Sequence, residues 1–347
     1  MTFSVIVPVC NGAATLEDSV QSALEQQSYF PGKRDFYEII IVENGSSDDS
    51  PSIADRLAAR NECVSVIHKG KIGLFRARQE GIRAAKGDWI VSLDADDRLA
   101  PGALKNLYEA IEGSDNSLDL ILFNAATMEE GRKLRSYPFT PGIVATGEDK
   151  KIYMEQLCRD DSVNAMWIKA VKRSIAAFDN IDLFLNYGED LYQTAEYLDR
   201  AAGIMYLDEV LYHYRKDSVS LSSTYSEIYL EDEKKTWEML DEKAGKWFGD
   251  QFTETISRRK ALTCTIAVTK LVNSGLSMAI KKHKLCKLLE DPFYEEYRGY
   301  PLPDWAPDES VHIRKLQEAT RPRQALLRES LKHNIKTRIK GRLRNGK

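Results

Sequence analysis

Five short apolar runs rich in β-branched residues punctuate the first 125 residues: Phe3 to Val9, Tyr37 to Val42, Val64 to Ile67, Trp89 to Leu93 and Leu118 to Phe123. Each has the length and unbroken hydrophobicity of a strand buried on both faces. Between them the period becomes helical. Leu16, Val20, Ala23, Leu24 and Gln27 share one face, and Thr15 with Asp18 three residues on predicts a capping box. Ser50-Pro51 opens a second helix, Ile72 to Lys86 forms a third and Pro101 to Ile111 a fourth. Strand alternating with helix predicts parallel pairing through right-handed crossovers, hence a doubly wound α/β sheet with ligands at the carboxyl ends of its strands.

From about Met128 the alternation weakens. Gly188 to Leu198 reads as a helix entry, Ile204 to Tyr214 as a strand, and Ile228 to Leu289 as mostly helical. Asp291 to Asp308 carries Pro292, Pro301, Pro303 and Pro307 and reads as a linker.

The 347 residues allow about two domains, and 43% hydrophobic with 29% charged residues is a globular composition. No apolar run reaches the ~18 residues of a spanning helix, and Met1 to Pro8 lack the basic start of a secretory signal, so a cytoplasmic location is expected. The five cysteines, Cys10, Cys63, Cys158, Cys264 and Cys286, are scattered and predict buried thiols rather than disulfides or zinc. The net charge of -4 hides an asymmetry: from His312 to Lys347 there are 12 Lys/Arg and 2 acids, leaving 37 and 51 for the rest. Within that basic tail Leu327, Leu331, Ile335, Ile339 and Leu343 recur every four residues. A basic amphipathic helix of this kind suits an anionic membrane surface, and docking on the acidic body is the alternative. Nucleic acid ranks last, because no aromatic residue follows Val311 to stack on bases.

Carboxylates and amides gather after two of the strands. Glu43-Asn44-Gly45-Ser46-Ser47-Asp48 follows the second and, by itself, is an ordinary polar turn that caps the next helix. Asp94-Ala95-Asp96-Asp97 follows the fourth. Three carboxylates in four residues repel one another unless solvent or a hard cation such as Mg²⁺ or Mn²⁺ neutralises them. The residues alone leave both readings open.

The order of the pieces carries more. Val5-Ile6-Val7-Pro8-Val9-Cys10-Asn11, Ile41 to Asp48, Gly73 to Gly81 with Arg76-Ala77-Arg78-Gln79, and Gly87 to Asp97 closely resemble the family-2 glycosyltransferases. Glu189-Asp190, Trp167-Ile168-Lys169 and Tyr212-His213-Tyr214-Arg215 through Ser218-Val219-Ser220 continue the resemblance, which covers residues 3 to about 222. It implies a GT-A-like α/β fold: a doubly wound, mostly parallel sheet flanked by helices over residues 1–222, with a nucleotide-binding half 1–125 and an acceptor half 126–222. A helical region 223–310 and the basic tail 311–347 follow.

By that resemblance Pro8, Val9, Asn11, Glu43 and Asn44 line the nucleoside pocket. Glu43-Asn44 replaces the usual Asp pair, so Asn44 would accept the uracil N3–H through its amide oxygen. Arg78 supplies a cation near the nucleotide. Asp94, Ala95 and Asp96 meet the donor, with Asp96, Asp94 and His213 as metal ligands and Mg²⁺ or Mn²⁺ as the cofactor. Asp190 is the catalytic base, and Glu189, Trp167 and Arg215 face acceptor or diphosphate. Without the family pattern, Glu189-Asp190 is an acidic first helical turn favoured by the macrodipole, Trp167 is core, and His213 with Arg215 is a half-buried strand end.

The expected activity is inverting transfer of a hexose or N-acetylhexosamine from a nucleotide sugar, UDP-linked, to a saccharide or lipid-linked acceptor, at the inner face of the cell membrane. A sugar-phosphate nucleotidyltransferase would need a basic Gly-rich loop after the first strand, and Pro8-Val9-Cys10-Asn11-Gly12 has no cation. A binding module without catalysis is the remaining alternative, against which Asp94, Asp96 and Asp190 stand together.

Overall fold

The computed structural model describes residues 1–30, 36–114, 116–129, 131–178, 186–216, 225–319 and 321–344, with side chains as far as residue 335. Two compact units result, Met1–Ser218 and Val219–Lys347.

The first unit opens as its sequence pattern predicts. Strand β1 (Phe3–Val9) leads to helix α1 (Leu16–Leu24), β2 (Tyr37–Asn44) to α2 (Ser50–Arg60), β3 (Val64–Lys69) to α3 (Leu74–Ala84), and β4 (Trp89–Ser92) to the short β5 (Arg98–Leu99) and α4 (Ala103–Glu112). All seven residues of β1 are buried, because β1 lies between β2 and β4 with helices above and below. Phe3 pairs with both Tyr37 and Trp89 in parallel register, so β1, β2 and β4 end side by side.

The second half changes polarity. After β6 (Leu118–Thr127), β7 (Val144–Thr146) and α5 (Lys151–Arg159), strand β8 (Lys169–Lys172) slips between β4 and β6 antiparallel to both. It is entered from a 3₁₀ turn at Met166–Ile168 that follows α5 and left directly into α6 (Arg173–Ala176). Helix α7 (Glu189–Arg200) then precedes β9 (Gly203–Tyr214), which runs parallel to β6 as far as Thr127 opposite Tyr214 and pairs antiparallel with β5 along its other edge at Tyr212 and His213. Among the described residues the sheet is nine-stranded, in the order β3-β2-β1-β4-β8-β6-β9-β5 with β7 on β9.

Two local expectations are corrected. The Thr15 hydroxyl donates to the Gly12 carbonyl at 3.4 Å and makes no cap bond, while Asp18 is drawn to Arg98 and Arg215, so no capping box forms. Cys10 is exposed, and only Cys158 and Cys264 are fully buried, all five remaining thiols.

The second unit is helical: α8 (Tyr229–Phe248), α9 (Thr253–Asn273), α10 (Met278–Leu289), α11 (Pro292–Tyr297), α12 (Asp308–Gln317) and α13 (Pro322–Arg344). Cys264, Val268 and Leu271 of α9 pack with Leu285, Tyr294, Ile313 and Leu326. The span expected as a linker therefore begins with core. Pro292 starts α11 at its first turn, the Asp291 side chain accepts the Phe293 N–H, and Tyr294 is buried. The tail helix is also turned relative to the predicted stripe. Its buried positions are Leu326 and Ser330, whereas Leu327 is partly buried and Leu331 and Ile335 are exposed. The reason is polar: the buried Lys281 ammonium donates to Ser330 Oγ, Asn334 Oδ1 and the Val272 carbonyl, and those acceptors must face it. The Ile339 and Leu343 side chains, and Ser218-Val219-Ser220, lie outside the described residues, as does the 222/223 boundary.

One glycine fixes how closely a helix meets the sheet. A Cβ on Gly81 of α3 would stand 2.5 Å from Ile6 Cγ2 and 3.1 Å from Val42 Cγ2, both core atoms of β1 and β2. Gly81→Ala should therefore destabilise the protein by about 1–3 kcal/mol through overpacking, seen as a lower urea midpoint with an unchanged slope.

Candidate active site

The loops that leave β1 and β2 hold each other. Asn11, at φ 58°, accepts the Ser47 N–H (2.7 Å) and hydroxyl (3.1 Å) with its amide oxygen, and its own N–H donates to Ser46 Oγ. Asparagine tolerates this left-handed backbone better than a branched residue would. Gly12 N–H donates to Ser50 Oγ and Ala13 N–H to Asp48 Oδ2. Pro8 and Val9 are buried within β1, which leaves Cys10 and Asn11 as the exposed end of that strand.

The Glu43-Asn44 pair is turned inward. Glu43 is 4% exposed and its Oε1 accepts the Ser46 N–H at 2.6 Å. Asn44 is 6% exposed and its Oδ1 accepts the Ile72 N–H at 2.8 Å. That bond fixes the amide orientation; it occupies one lone pair of the oxygen and leaves the second, and the Nδ2 amide, without a partner among the described residues.

Beyond β4 three elements converge on one guanidinium. Arg78, from α3, is 1% exposed; its Nη1 donates to Asp190 Oδ1 at 2.9 Å and its Nη2 lies 3.7 Å from Asp94 Oδ1. Burial alone would lower the Arg78 pKa, but Asp190, Asp94 and Glu189 outweigh it and the net shift is upward. Gly188, at φ 74°, turns the chain into α7 so that Glu189 and Asp190 occupy its first turn. Asp190 Oδ2 accepts the Met166 N–H at 3.4 Å. The loop before Met166 is pinned by the buried Lys169 ammonium, which donates to the carbonyls of Val163, Asn164 and Ala165. Burial pushes Lys169 down to about 7, with Asp190 opposing and Arg78 adding to the shift.

The three aspartates after β4 meet three environments. Desolvation raises Asp94 to about 6 although 28% of its side chain is exposed; Arg78 opposes the shift and Asp190 and Asp96 add to it. The Asp96 carboxylate is partly exposed and makes no hydrogen bond or ion pair among the described residues, while Ala95 beside it is also partly exposed. Asp97 is 1% exposed, and desolvation brings it to about 7. It accepts the Tyr212 hydroxyl at 2.8 Å and the Arg215 N–H at 2.7 Å, and the same Tyr212 oxygen accepts the Asp94 N–H at 3.1 Å. Arg215 also donates from Nε to the Asp96 carbonyl and from Nη2 to Asp18. Its guanidinium thus ties the turn to α1.

His213 is placed elsewhere, while Trp167 packs beside the site. Tyr212 and Tyr214 both stack on Trp167, with centroids 4.8 and 5.8 Å away, so the alternation of β9 turns His213 to the opposite face. His213 stands opposite Arg98 in the ladder, where burial and that cation lower its pKa. It does not join Asp94 and Asp96, and the described residues hold no group of three or more His, Cys, Asp or Glu side chains fit for a metal. Trp167 backs the Asp turn and borders a cavity of about 40 Å³, far below the ~300 Å³ of a ligand pocket. Sequence reasoning missed the structural parts of Asp97, Tyr212 and Asp18. The third acid of Asp94-Ala95-Asp96-Asp97 was the one signal that could have found them.

With this geometry, comparison with known proteins is decisive. Residues 4–175 match the family model described as glycosyl transferase family 2. The chain belongs to glycosyltransferase family 2. This family-2 chain is 30% identical over 225 residues to the uncharacterized glycosyltransferase EpsJ of Bacillus subtilis, covering 63% of this chain and 62% of that one. It is 27% identical over 229 residues to the uncharacterized glycosyltransferase YibD of Escherichia coli, again 63% and 62%. The matches therefore span less than two thirds of these curated relatives. Among solved structures it is similar to S. aureus TarS 1–349 in complex with UDP-GlcNAc, with 17% identity, coverage of 97% and 92%, and a TM-score of 0.55. That likeness establishes the GT-A fold.

If Arg78 is what holds Asp94 and Asp190 at one site, Arg78→Met leaves two carboxylates facing each other without a cation. Stability should fall by about 3 kcal/mol, the cost of breaking a buried ion pair on one side, measured by denaturant titration at pH 7. A loss below ~1 kcal/mol would mean that solvent already screens both acids.

Proposed function

We propose that this protein is an inverting, metal-dependent glycosyltransferase that moves a hexose or N-acetylhexosamine from a UDP-linked donor to a saccharide or lipid-linked acceptor. The observation that carries the proposal is the Arg78 bridge, which sets a carboxylate from α7 across one guanidinium from the aspartate turn after β4. Inversion needs a base on the acceptor side of the sugar and charge neutralisation on the leaving-group side. Asp190 is the base: Oδ1 is held by Arg78, and Oδ2, with only a long 3.4 Å contact to an N–H, is the oxygen that takes the acceptor proton.

The residues also suit a divalent cation. Asp96 carries a carboxylate unpartnered among the described residues and Asp94 a partly exposed one, the one-or-two-carboxylate set that Mg²⁺ or Mn²⁺ combines with substrate phosphates. When bound, such an ion neutralises charge developing on the departing diphosphate. Arg215 and Tyr212 hold the turn in shape meanwhile. Asn44 Nδ2 donates to a base carbonyl, so uracil would be read by its oxygen, and the UDP-GlcNAc held by TarS is consistent with that base.

Asp190→Asn keeps the shape and removes the proton acceptor, so turnover should fall by ~10²-fold or more while UDP binding persists. Asp96→Asn should weaken Mn²⁺-dependent UDP binding in calorimetry without loss of folding. Unchanged turnover in the first variant moves the base to Glu189, and unchanged binding in the second removes Asp96 from the metal.

The tail reading takes a narrower form. Among the described residues no helix is long and apolar enough to cross a membrane. Leu331 and Ile335, however, are 50% and 51% exposed on α13 beside Arg328 and Lys332, an apolar and basic face suited to anionic headgroups. Replacing both by Gln should lower sedimentation with anionic vesicles at low salt and leave folding intact, because neither side chain is in the core. Equal sedimentation of parent and variant would assign α13 to packing alone.

A further inference from the structure

Lys169 opens β8 with 1% exposure, and its ammonium donates to the Val163 carbonyl at 2.6 Å, the Asn164 carbonyl at 3.0 Å and the Ala165 carbonyl at 2.6 Å. Three acceptors use all three N–H groups of a protonated amine. Burying such a cation costs free energy that a leucine would not. The β8 ladder does not need it either, because Lys169 stands opposite Leu122 through its backbone. What the ammonium does is turn three successive carbonyls toward one point, in residues 163–165 that belong to no helix or strand.

The path so fixed reaches α7 twice. At its end the Met166 N–H faces Asp190 Oδ2 at 3.4 Å. Four residues after Asp190, on the same face of α7, the Thr194 hydroxyl donates to the Asn164 carbonyl at 2.8 Å. The Asn164 oxygen therefore takes Lys169 on one lone pair and Thr194 on the other. Thr194 is fully buried, so that bond is shielded from competing water. Arg78 holds the other oxygen of Asp190. The carboxylate is thus fixed on one side by a guanidinium and on the other by a loop whose shape depends on one lysine.

We infer that Lys169 is a positioning residue of the transfer reaction, setting the Asp190 carboxylate through the Asn164–Thr194 bond and the Met166 N–H. The inference rests on the reading of Asp190 as the base. Lys169 is buried away from donor and acceptor, so its loss costs turnover and spares nucleotide binding. A base displaced by about 1 Å is enough to slow proton transfer by up to ~10²-fold.

The test combines UDP release from UDP-GlcNAc, UDP-glucose and UDP-galactose with Mn²⁺, UDP affinity by calorimetry, and amide hydrogen exchange. Lys169→Met should lower turnover about tenfold or more, with UDP affinity within about twofold of the parent. Thr194→Val keeps the Lys169 contacts and the outline of the side chain, and should lower turnover about threefold. In an Asp190→Asn background neither substitution should cost more, since the group they position is already gone. The Met166 amide should exchange about tenfold faster in both variants while the β1 amides keep the parent rate, a reading independent of which donor sugar is accepted.

The inference is overturned if Lys169→Met folds and turns over like the parent, if the losses are as large in the Asp190→Asn background, or if Met166 exchange is unchanged. Where Lys169→Met does not fold, Thr194→Val decides by the same three readings. Full turnover in Asp190→Asn alone removes the base assignment and this inference with it. A loss in Asp190→Asn without one in Lys169→Met keeps the base and removes Lys169.

Discussion

Arg78 has its guanidinium where water cannot reach it, and a cation survives there because two carboxylates from opposite halves of the sheet meet it. Much of the first unit serves that meeting. Gly81 lets α3 lie close on β1 and β2, which fixes the direction from which Arg78 enters. β8 runs against β4, so the 3₁₀ turn before it delivers the Met166 N–H to Asp190. Lys169 gathers three carbonyls to stiffen the same loop. Each missing partner in such a network leaves a desolvated polar group, and Arg78 Nε is one buried atom here without a hydrogen bond among the described residues.

The second constraint is the handling of three neighbouring acids. Asp97 is spent on structure, as the buried acceptor for Tyr212 and for the Arg215 backbone. Asp94 is shared with Arg78, and Asp96 is left open. Environments that separate the roles of adjacent titratable groups are the usual mark of a working site. Here the separation comes from the pairing of β9 with β5, which brings Tyr212 and Arg215 over the turn.

The helical unit also keeps charge inside. Lys260, Lys270 and Lys281 are all buried, on Asp241, on the Tyr229 ring and on Ser330 with a backbone carbonyl. A buried ammonium needs acceptors facing it, which restricts how the helices that carry those acceptors can turn. The rotation of α13 toward Leu326 and Ser330 is one consequence.

The sequence by itself determined the local and periodic features. The strands from Phe3, Tyr37, Val64, Trp89 and Leu118, the four helices between them and the order of motifs were legible because burial on both faces and helical amphipathicity leave short-range signatures. The same order marked Asp94, Asp96, Arg78 and Asp190 as candidates. Only the tertiary structure decided that Arg78 joins Asp94 to Asp190, that the Asn44 oxygen accepts the Ile72 N–H, that His213 faces away and that Asp97 is buried. The antiparallel insertion of β8 and the rotation of α13 were likewise decided there. Each of these depends on partners 28 to 118 residues away in sequence, such as Asn44 with Ile72 and Asp97 with Arg215, or on which side of an element faces inward. A linear pattern records how often a face repeats, and the pairing of charges across a fold is set by the distances that packing leaves between them.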